Sequence, residues 1–168
     1  FSRQIGRLLA IEIKSLGFNL NFAPVLDVNS NPQNPVIGDR SFGETAEIVS
    51  ALGVETMKGI QEENVVSVVK HFPGHGDTSV DSHKGLPVVN NDLQRLRTFE
   101  LVPFAEAIRN HADAVMVAHI LLPKIDAQYP ASLSKTVVTD LLRNEMKFDG
   151  VVMTDDLTMG AITDQYDI

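Results

Sequence analysis

Helical and strand patterns alternate four times along this 168-residue chain, and every strand ends in polar, ionisable residues. No G-x-G-x-x-G or Walker A loop follows any strand. These observations predict an α/β fold with a parallel sheet joined by right-handed crossovers. A doubly wound nucleotide-binding sheet would carry the missing glycine motifs. Chemistry at the C-terminal end of each successive strand is instead the pattern of a (β/α)₈ TIM barrel. Four strands cannot close a barrel that needs eight strands and about 250 residues. Residues 1–168 therefore read as the contiguous central part of one barrel domain, an incomplete barrel.

Each element has its own signal. Ile5, Leu8, Leu9, Ile13 and Leu16 recur at helical spacing between Gln4 and Leu16, and Gly17 is placed to stop that helix. Phe18, Leu20 and Phe22 alternate with polar or small residues, predicting a strand that runs towards Asp27. Ser41-Phe42-Gly43-Glu44 has the form of a capping box, predicting a helix to about Ile60. Val65-Val66-Ser67-Val68-Val69 is the β-branched run of a buried parallel strand. Leu93 to Asn110 is helical in pattern, with Pro103 either kinking the helix or opening a new first turn. Ala114 to Ala118 is the third strand, Ser134 caps a helix carrying Val137, Val138, Leu141, Leu142 and Met146, and Gly150 to Met153 is the fourth strand.

Composition narrows the function. Fourteen Lys and Arg against 22 Asp and Glu leave a net charge of −8, with no basic cluster. That balance argues against a nucleic-acid groove or an anionic membrane surface as partner. No apolar run approaches the ~18 residues of a membrane span. Zero Cys removes disulfides, thiolate metal sites and a cysteine nucleophile. Phe1-Ser2-Arg3-Gln4 carries neither a start Met nor a signal peptide and reads as an internal cut.

The densest cluster is Lys70-His71-Phe72-Pro73-Gly74-His75-Gly76-Asp77, continuing to Asp81-Ser82-His83. It holds three of the five His, and its Pro and Gly make it a long loop over the strand ends. Three readings compete: a polar surface loop, a metal site of His and Asp ligands, and acid–base chemistry. Pro73-Gly74 between His71 and His75 rules out a zincin-type i, i+4 pair on a helix. Asp81 and His83, two apart in an extended segment, point the same way, so the carboxylate can orient the imidazole and raise its basicity. Thr154-Asp155-Asp156 is the second cluster. Strand alternation sends its two carboxylates to opposite faces, so one alone is expected to face a site, as a nucleophile or a cation ligand. Arg40, in Gly38-Asp39-Arg40-Ser41-Phe42, either pairs with Asp39 or Glu44 or offers a fork of donors to a substrate.

Gly38-Asp39-Arg40-Ser41-Phe42, the Lys70–Asp77 run, Asp81-Ser82-His83 and Thr154-Asp155-Asp156-Leu157 together resemble the family 3 glycoside hydrolases, most of all their β-N-acetylhexosaminidase branch. The resemblance covers the whole chain in order, and the Lys-His-Phe-Pro-Gly-His-Gly-Asp run is its most specific part. It implies a (β/α)₈ barrel of which this chain covers about strands 3 to 6. It also implies a retaining, two-step exo-β-N-acetylglucosaminidase without metal or other cofactor, acting on peptidoglycan fragments or chitooligosaccharides. By position, Asp155 resembles the nucleophile, His83 the acid/base and Asp81 its dyad partner. Arg40, Lys70 and His71 resemble sugar-binding residues. Most retaining glycosidases use a second carboxylate where this branch places a His on a mobile loop. The family's Asp-Gln-Glu-Gly-Gly-like strand, whose Asp holds sugar hydroxyls, is expected upstream of this chain, and the last barrel strands beyond it. A β-N-acetylglucosaminide phosphorylase of the same branch and a metal-dependent hydrolase are the alternatives. Relatives of this kind occur in the cytoplasm and at the cell envelope, so localisation is left open.

Overall fold

The structure, a computed structural model, describes residues 1–82 and 85–166. Helix α1 spans Ser2–Ser15. It ends in a Schellman arrangement: Gly17 N–H donates to Lys14 O at 2.9 Å and Phe18 N–H to Ile13 O at 3.1 Å, with Gly17 at φ 93°. Strand β1 is Leu20–Asn21. Helix α2, Ala46–Glu62, is followed by β2, Val66–Phe72. Two short helices follow, α3 at Leu93–Thr98 and α4 at Val102–Arg109, with Pro103 in the first turn of α4. Pro103 thus opens a new helix, where its missing N–H costs nothing. Strand β3 is Ala114–Val117 and β4 is Val151–Thr154; between them runs a π-wound helix, Thr136–Glu145, in which Met146 N–H closes back onto Leu141 O at 2.9 Å. Ser134 Oγ accepts from Val137 N–H at 3.2 Å, the cap expected of it. Helix α5, Gly160–Thr163, follows β4.

The four strands form one parallel sheet in the order β1-β2-β3-β4, with Val68 opposite Ala114 and Val115 opposite Val152. Its faces differ. On one, Val69, Phe72, Val115 and Val117 pack against Met57, Phe104 and Leu141 from the helices. Phe72 and Phe104 meet edge to face with centroids 5.4 Å apart, a pair worth ~1 kcal/mol beyond the area it buries. On the other face Val68, Ala114 and Met116 cluster with Leu20 and Met153, all from strands. Helices outside and a strand-lined inner layer make this a TIM-barrel-like arrangement. Close helix packing joins α1 to α2, since a Cβ on Gly6 would lie 2.2 Å from Thr56 O and one on Gly59 2.1 Å from Arg3 O. Among the described residues no helix is long and apolar enough to cross a membrane.

Two expectations need correction. The cap of α2 is Thr45, whose side chain accepts from Ile48 N–H at 3.4 Å. Ser41 instead donates to Asp27 O at 2.6 Å, so the Ser41–Glu44 pattern ties a loop to a strand end rather than starting a helix. Strand β1 is also shorter than its alternation suggested, with Phe18 and Phe22 more than half exposed. Pro24 lacks a ladder donor, and pairing resumes only as a bridge between Val25 and Lys70.

Candidate active site

A cavity of about 420 Å³ opens at the C-terminal ends of the strands, over the strand-lined face. The end of β1 gives it Phe22, and the following loop gives Val36 and Arg40. Lys70 and His71 enter from β2, His75 and Ser82 from the loop after it, and Met116 from β3. Thr154, Asp155 and Asp156 close the other side.

Lys70 and His71 are adjacent, and a regular strand would send them to opposite faces. The register of β2 against β3 shifts between Val69 and Phe72, which frees both residues to face the cavity. The Lys70–His71 peptide is cis, as are Ala23–Pro24 and Phe72–Pro73.

The site is built on Asp27. Its carboxylate is wholly buried. Oδ2 accepts from His71 Nδ1 at 2.6 Å, and Oδ1 accepts from the His75 backbone N–H at 2.7 Å. Burial pushes the Asp27 carboxyl up; the His71 charge and hydrogen bond, with His75, outweigh it and hold it below the usual carboxylate range. With Nδ1–H given to Asp27, His71 turns Nε2 towards Arg40 Nη2, 3.5 Å away. Arg40 Nη1 donates to Val36 O at 3.2 Å, so among the described residues its side chain turns to Val36 and His71. Lys70 lies with its Nζ 6.0 Å from the Phe22 ring centroid. Burial, then the nearby Arg40 charge, lower the Lys70 pKa, while Asp155 and Asp27 act the other way.

As far as Ser82, the loop after β2 lies at the strand ends with several of its side chains packed inward. His75, Thr78 and Ser82 are all buried. Gly76 passes so close to the strand-one end that a Cβ there would sit 1.7 Å from Val28 O. Asp77 Oδ2 accepts from Asn91 Nδ2 at 3.0 Å, and Asn91 reaches the buried Glu100 at 3.3 Å, anchoring the loop on the chain before α3.

Asp155 and Asp156 both border the cavity, with the Asp156 carboxylate held by Thr158. Asp155 N–H still reaches β3, donating to Val117 O at 3.0 Å. Asp156 N–H donates to Asp155 Oδ1 at 2.9 Å. Asp156 Oδ1 accepts from the Thr158 N–H and hydroxyl at 2.8 and 2.7 Å. Beneath them His119 is buried. Its Nε2–H donates to Asp156 O at 3.0 Å, so Nδ1 must accept from Ser132 Oγ at 2.6 Å. Burial lowers the His119 pKa and favours this neutral form.

Of the residues singled out in the sequence, Arg40, Lys70, His71 and Asp155 are brought together in the cavity. Asp81 is half-buried on the loop beside Ser82. His83 lies outside the described residues. Among the described residues no three His, Asp or Glu side chains are grouped to hold a metal ion. Sequence reasoning passed over Asp27 and His75 as site-builders. A strand-end Asp followed by a loop His was a signal for their neighbourhood, not for their depth.

Comparison with known proteins places this geometry. The glycosyl hydrolase family 3 N-terminal domain matches residues 1–168. Beta-hexosaminidase A of Pseudoalteromonas piscicida is 43% identical over 98% of this chain, which spans 29% of that protein. A family 3 beta-N-acetylglucosaminidase structure from a Paenibacillus strain superposes with a TM-score of 0.96 at 51% identity, over 98% of this chain and 32% of that one. The structure of NagZ from Neisseria gonorrhoeae in complex with N-trifluoroacetyl-D-glucosamine gives a TM-score of 0.88 at 39% identity, over 98% of this chain and 48% of that one. The chain thus spans about half or less of the length of each of these similar proteins.

Proposed function

We infer from the membership of this chain in glycosyl hydrolase family 3, to which it belongs along its whole length, that it is the central part of a single barrel domain with β-N-acetylglucosaminidase activity. The reaction is the retaining, exo-acting hydrolysis of terminal N-acetylglucosamine from peptidoglycan fragments or chitooligosaccharides. The observation that carries this reading is the convergence of Asp155 with Arg40, Lys70 and His71 in one strand-end cavity. The names of the similar proteins, and the sugar derivative bound to one of them, support the substrate class.

The chemistry follows from residue types and places. Arg40 and Lys70 donate to sugar hydroxyls, and His71, braced by Asp27, presents a fixed ring edge between them. Asp155 attacks the anomeric carbon as the glycosidic bond breaks, forming a glycosyl ester. His83, oriented by Asp81, gives its proton to the departing oxygen. The neutral imidazole then takes a proton from water as that water attacks the same carbon and releases Asp155. Two inversions leave the configuration unchanged.

The test uses the full-length enzyme and a leaving-group series. Asp155→Ala abolishes glycosyl-enzyme formation with every substrate. His83→Ala spares activated aryl glycosides and slows an unactivated disaccharide by ~10²–10⁴-fold, the usual worth of general-acid assistance. Equal losses on both substrate types would remove His83 from the role of proton donor. Accumulation of the sugar 1-phosphate in phosphate buffer would assign a phosphorylase instead, and loss of turnover with a chelator a metal-dependent hydrolase.

A further inference from the structure

His119 takes no part in the chemistry just described, yet it is buried beneath Asp155 and Asp156 with both ring nitrogens engaged. It follows β3, whose end is pinned on both sides: Ala118 N–H donates to Phe72 O at 2.8 Å, and Val117 O accepts from Asp155 N–H at 3.0 Å. A carbonyl can only accept, so the 3.0 Å contact from Nε2 to Asp156 O places the ring proton on Nε2. Nδ1 then carries a lone pair, and Ser132 Oγ donates to it at 2.6 Å. Ser132 is itself fixed. It is buried in the 3₁₀ turn Ala131–Leu133, whose first N–H donates to Ile120 O at 2.8 Å.

Asp155 to Met159 form a turn held in shape by local bonds. Asp156 N–H donates to Asp155 Oδ1 at 2.9 Å, Thr158 N–H and hydroxyl donate to Asp156 Oδ1, and Met159 N–H donates to Asp156 O at 3.1 Å. Bonds that span one to three residues set the form of a turn, not where it sits over the strand ends. Its place comes from residues remote in sequence. The bond from Asp155 N–H to Val117 O is one such tether, and alone it would let the turn pivot. His119, 37 residues before Asp156, supplies a second tether, on the residue whose N–H holds the Asp155 carboxylate. We propose that His119 is a positioning residue for Asp155: its Nε2–H tautomer, set by Ser132, fixes the Asp156 carbonyl, and Asp156 N–H in turn orients the Asp155 carboxylate. The proposal rests on the reading of Asp155 as nucleophile.

Loosening this tether misplaces the attacking carboxylate while Arg40, Lys70 and His71, on other elements, still hold the sugar. The loss therefore falls on glycosyl-enzyme formation, which kcat/KM reports, and is the same for every leaving group. In the full-length enzyme, His119→Asn returns an acceptor to the Nδ1 position but ends short of Asp156. His119→Gln returns a donor to the Nε2 position. His119→Asn is expected to lower kcat/KM about 10- to 100-fold for a dinitrophenyl glycoside and an unactivated disaccharide alike, the loss that a displacement of about 1 Å brings. His119→Gln stays within about threefold of the native enzyme, and Ser132→Ala, which releases the tautomer, falls between the two. The inhibition constant of N-acetylglucosamine stays within about twofold in all three, as uniform binding is untouched.

Should His119→Asn not fold, Ser132→Ala with the same readouts decides. A native kcat/KM in the deciding variant, a loss confined to the disaccharide, or equal losses in His119→Asn and His119→Gln would overturn the proposal while the functional reading stands. So would N-acetylglucosamine binding that weakens in step with the rate. If Asp155→Ala still forms the glycosyl-enzyme, that reading falls and takes this inference with it.

Discussion

A wholly buried carboxylate that faces three donors is held in its ionised form by them, and that is the condition of Asp27. Asp27→Asn keeps the shape, but its amide NH₂ meets groups that already donate. Losing one member of a buried charge pair typically costs ~3–5 kcal/mol. The substitution should therefore lower the urea midpoint strongly and also weaken substrate binding, because His71 loses its brace; an unchanged midpoint and KM in the full-length enzyme would contradict both. The same residues set an acid limit. Burial lowers the His75 and His119 pKa values from 6.5, so below about that pH the unfolded chain takes up protons that the fold refuses. Stability is whole above pH 6.5 and falls as pH drops beneath it; Asp27, held below 3.8, adds a second loss at lower pH. Unfolding midpoints should be lower at pH 5.5 than at pH 7.5, and less so in His119→Gln. Equal midpoints for the native sequence would refute this. Arg40, Lys70, His71 and Asp155 could be found from sequence because polar residues at strand ends have few structural uses. Asp27 and His75 could not, because hydrogen-bonding depth leaves no mark on a residue's letter.

Elements were legible where periodicity governs them. The three later apolar strand runs and the stop at Gly17 follow from period and propensity and appear in the structure, while the first strand appears only in shortened form. Periodicity misled where the backbone leaves regular geometry. Alternation did not show that Asp156 also borders the cavity beyond the end of β4, with its carboxylate engaged by Thr158. Lys70 and His71 share a face only because β2 slips its register there. The cap of α2 was misplaced because Ser41 has a competing acceptor in Asp27 O, from a segment remote in sequence. The close pass of Gly76 against Val28 was equally hidden, and it makes a sharp prediction. Gly76→Ala forces a methyl into a space bounded by backbone 1.7 Å away, so the loop must move off the strand end. The expected loss exceeds about 3 kcal/mol, at the upper end for overpacking, with activity falling alongside; a chemical-denaturation curve matching the native one would refute it.

At the scale of the molecule, the four-stranded sheet has partners on its inner strands alone: β1 pairs with β2 and β4 with β3, and among the described residues the outer sides of β1 and β4 have no strand beside them. Leu8, Ile11, Leu16 and Val151 are about half exposed or more. Open edges with apolar neighbours template association. Expressed as these 168 residues, the chain should form oligomers that grow with concentration in size-exclusion chromatography; a monomer that persists at high concentration would contradict this. The bond from Ala161 N–H to Ser82 O has a wider meaning in the complete enzyme. Ala161 is in the first turn of α5, where a backbone donor has no partner within its own helix. Any opening of that bond hands the donor to solvent, so its deuterium uptake serves as a clock for such openings. A product that dwells in the cavity should slow the clock, and one that has departed should let it run.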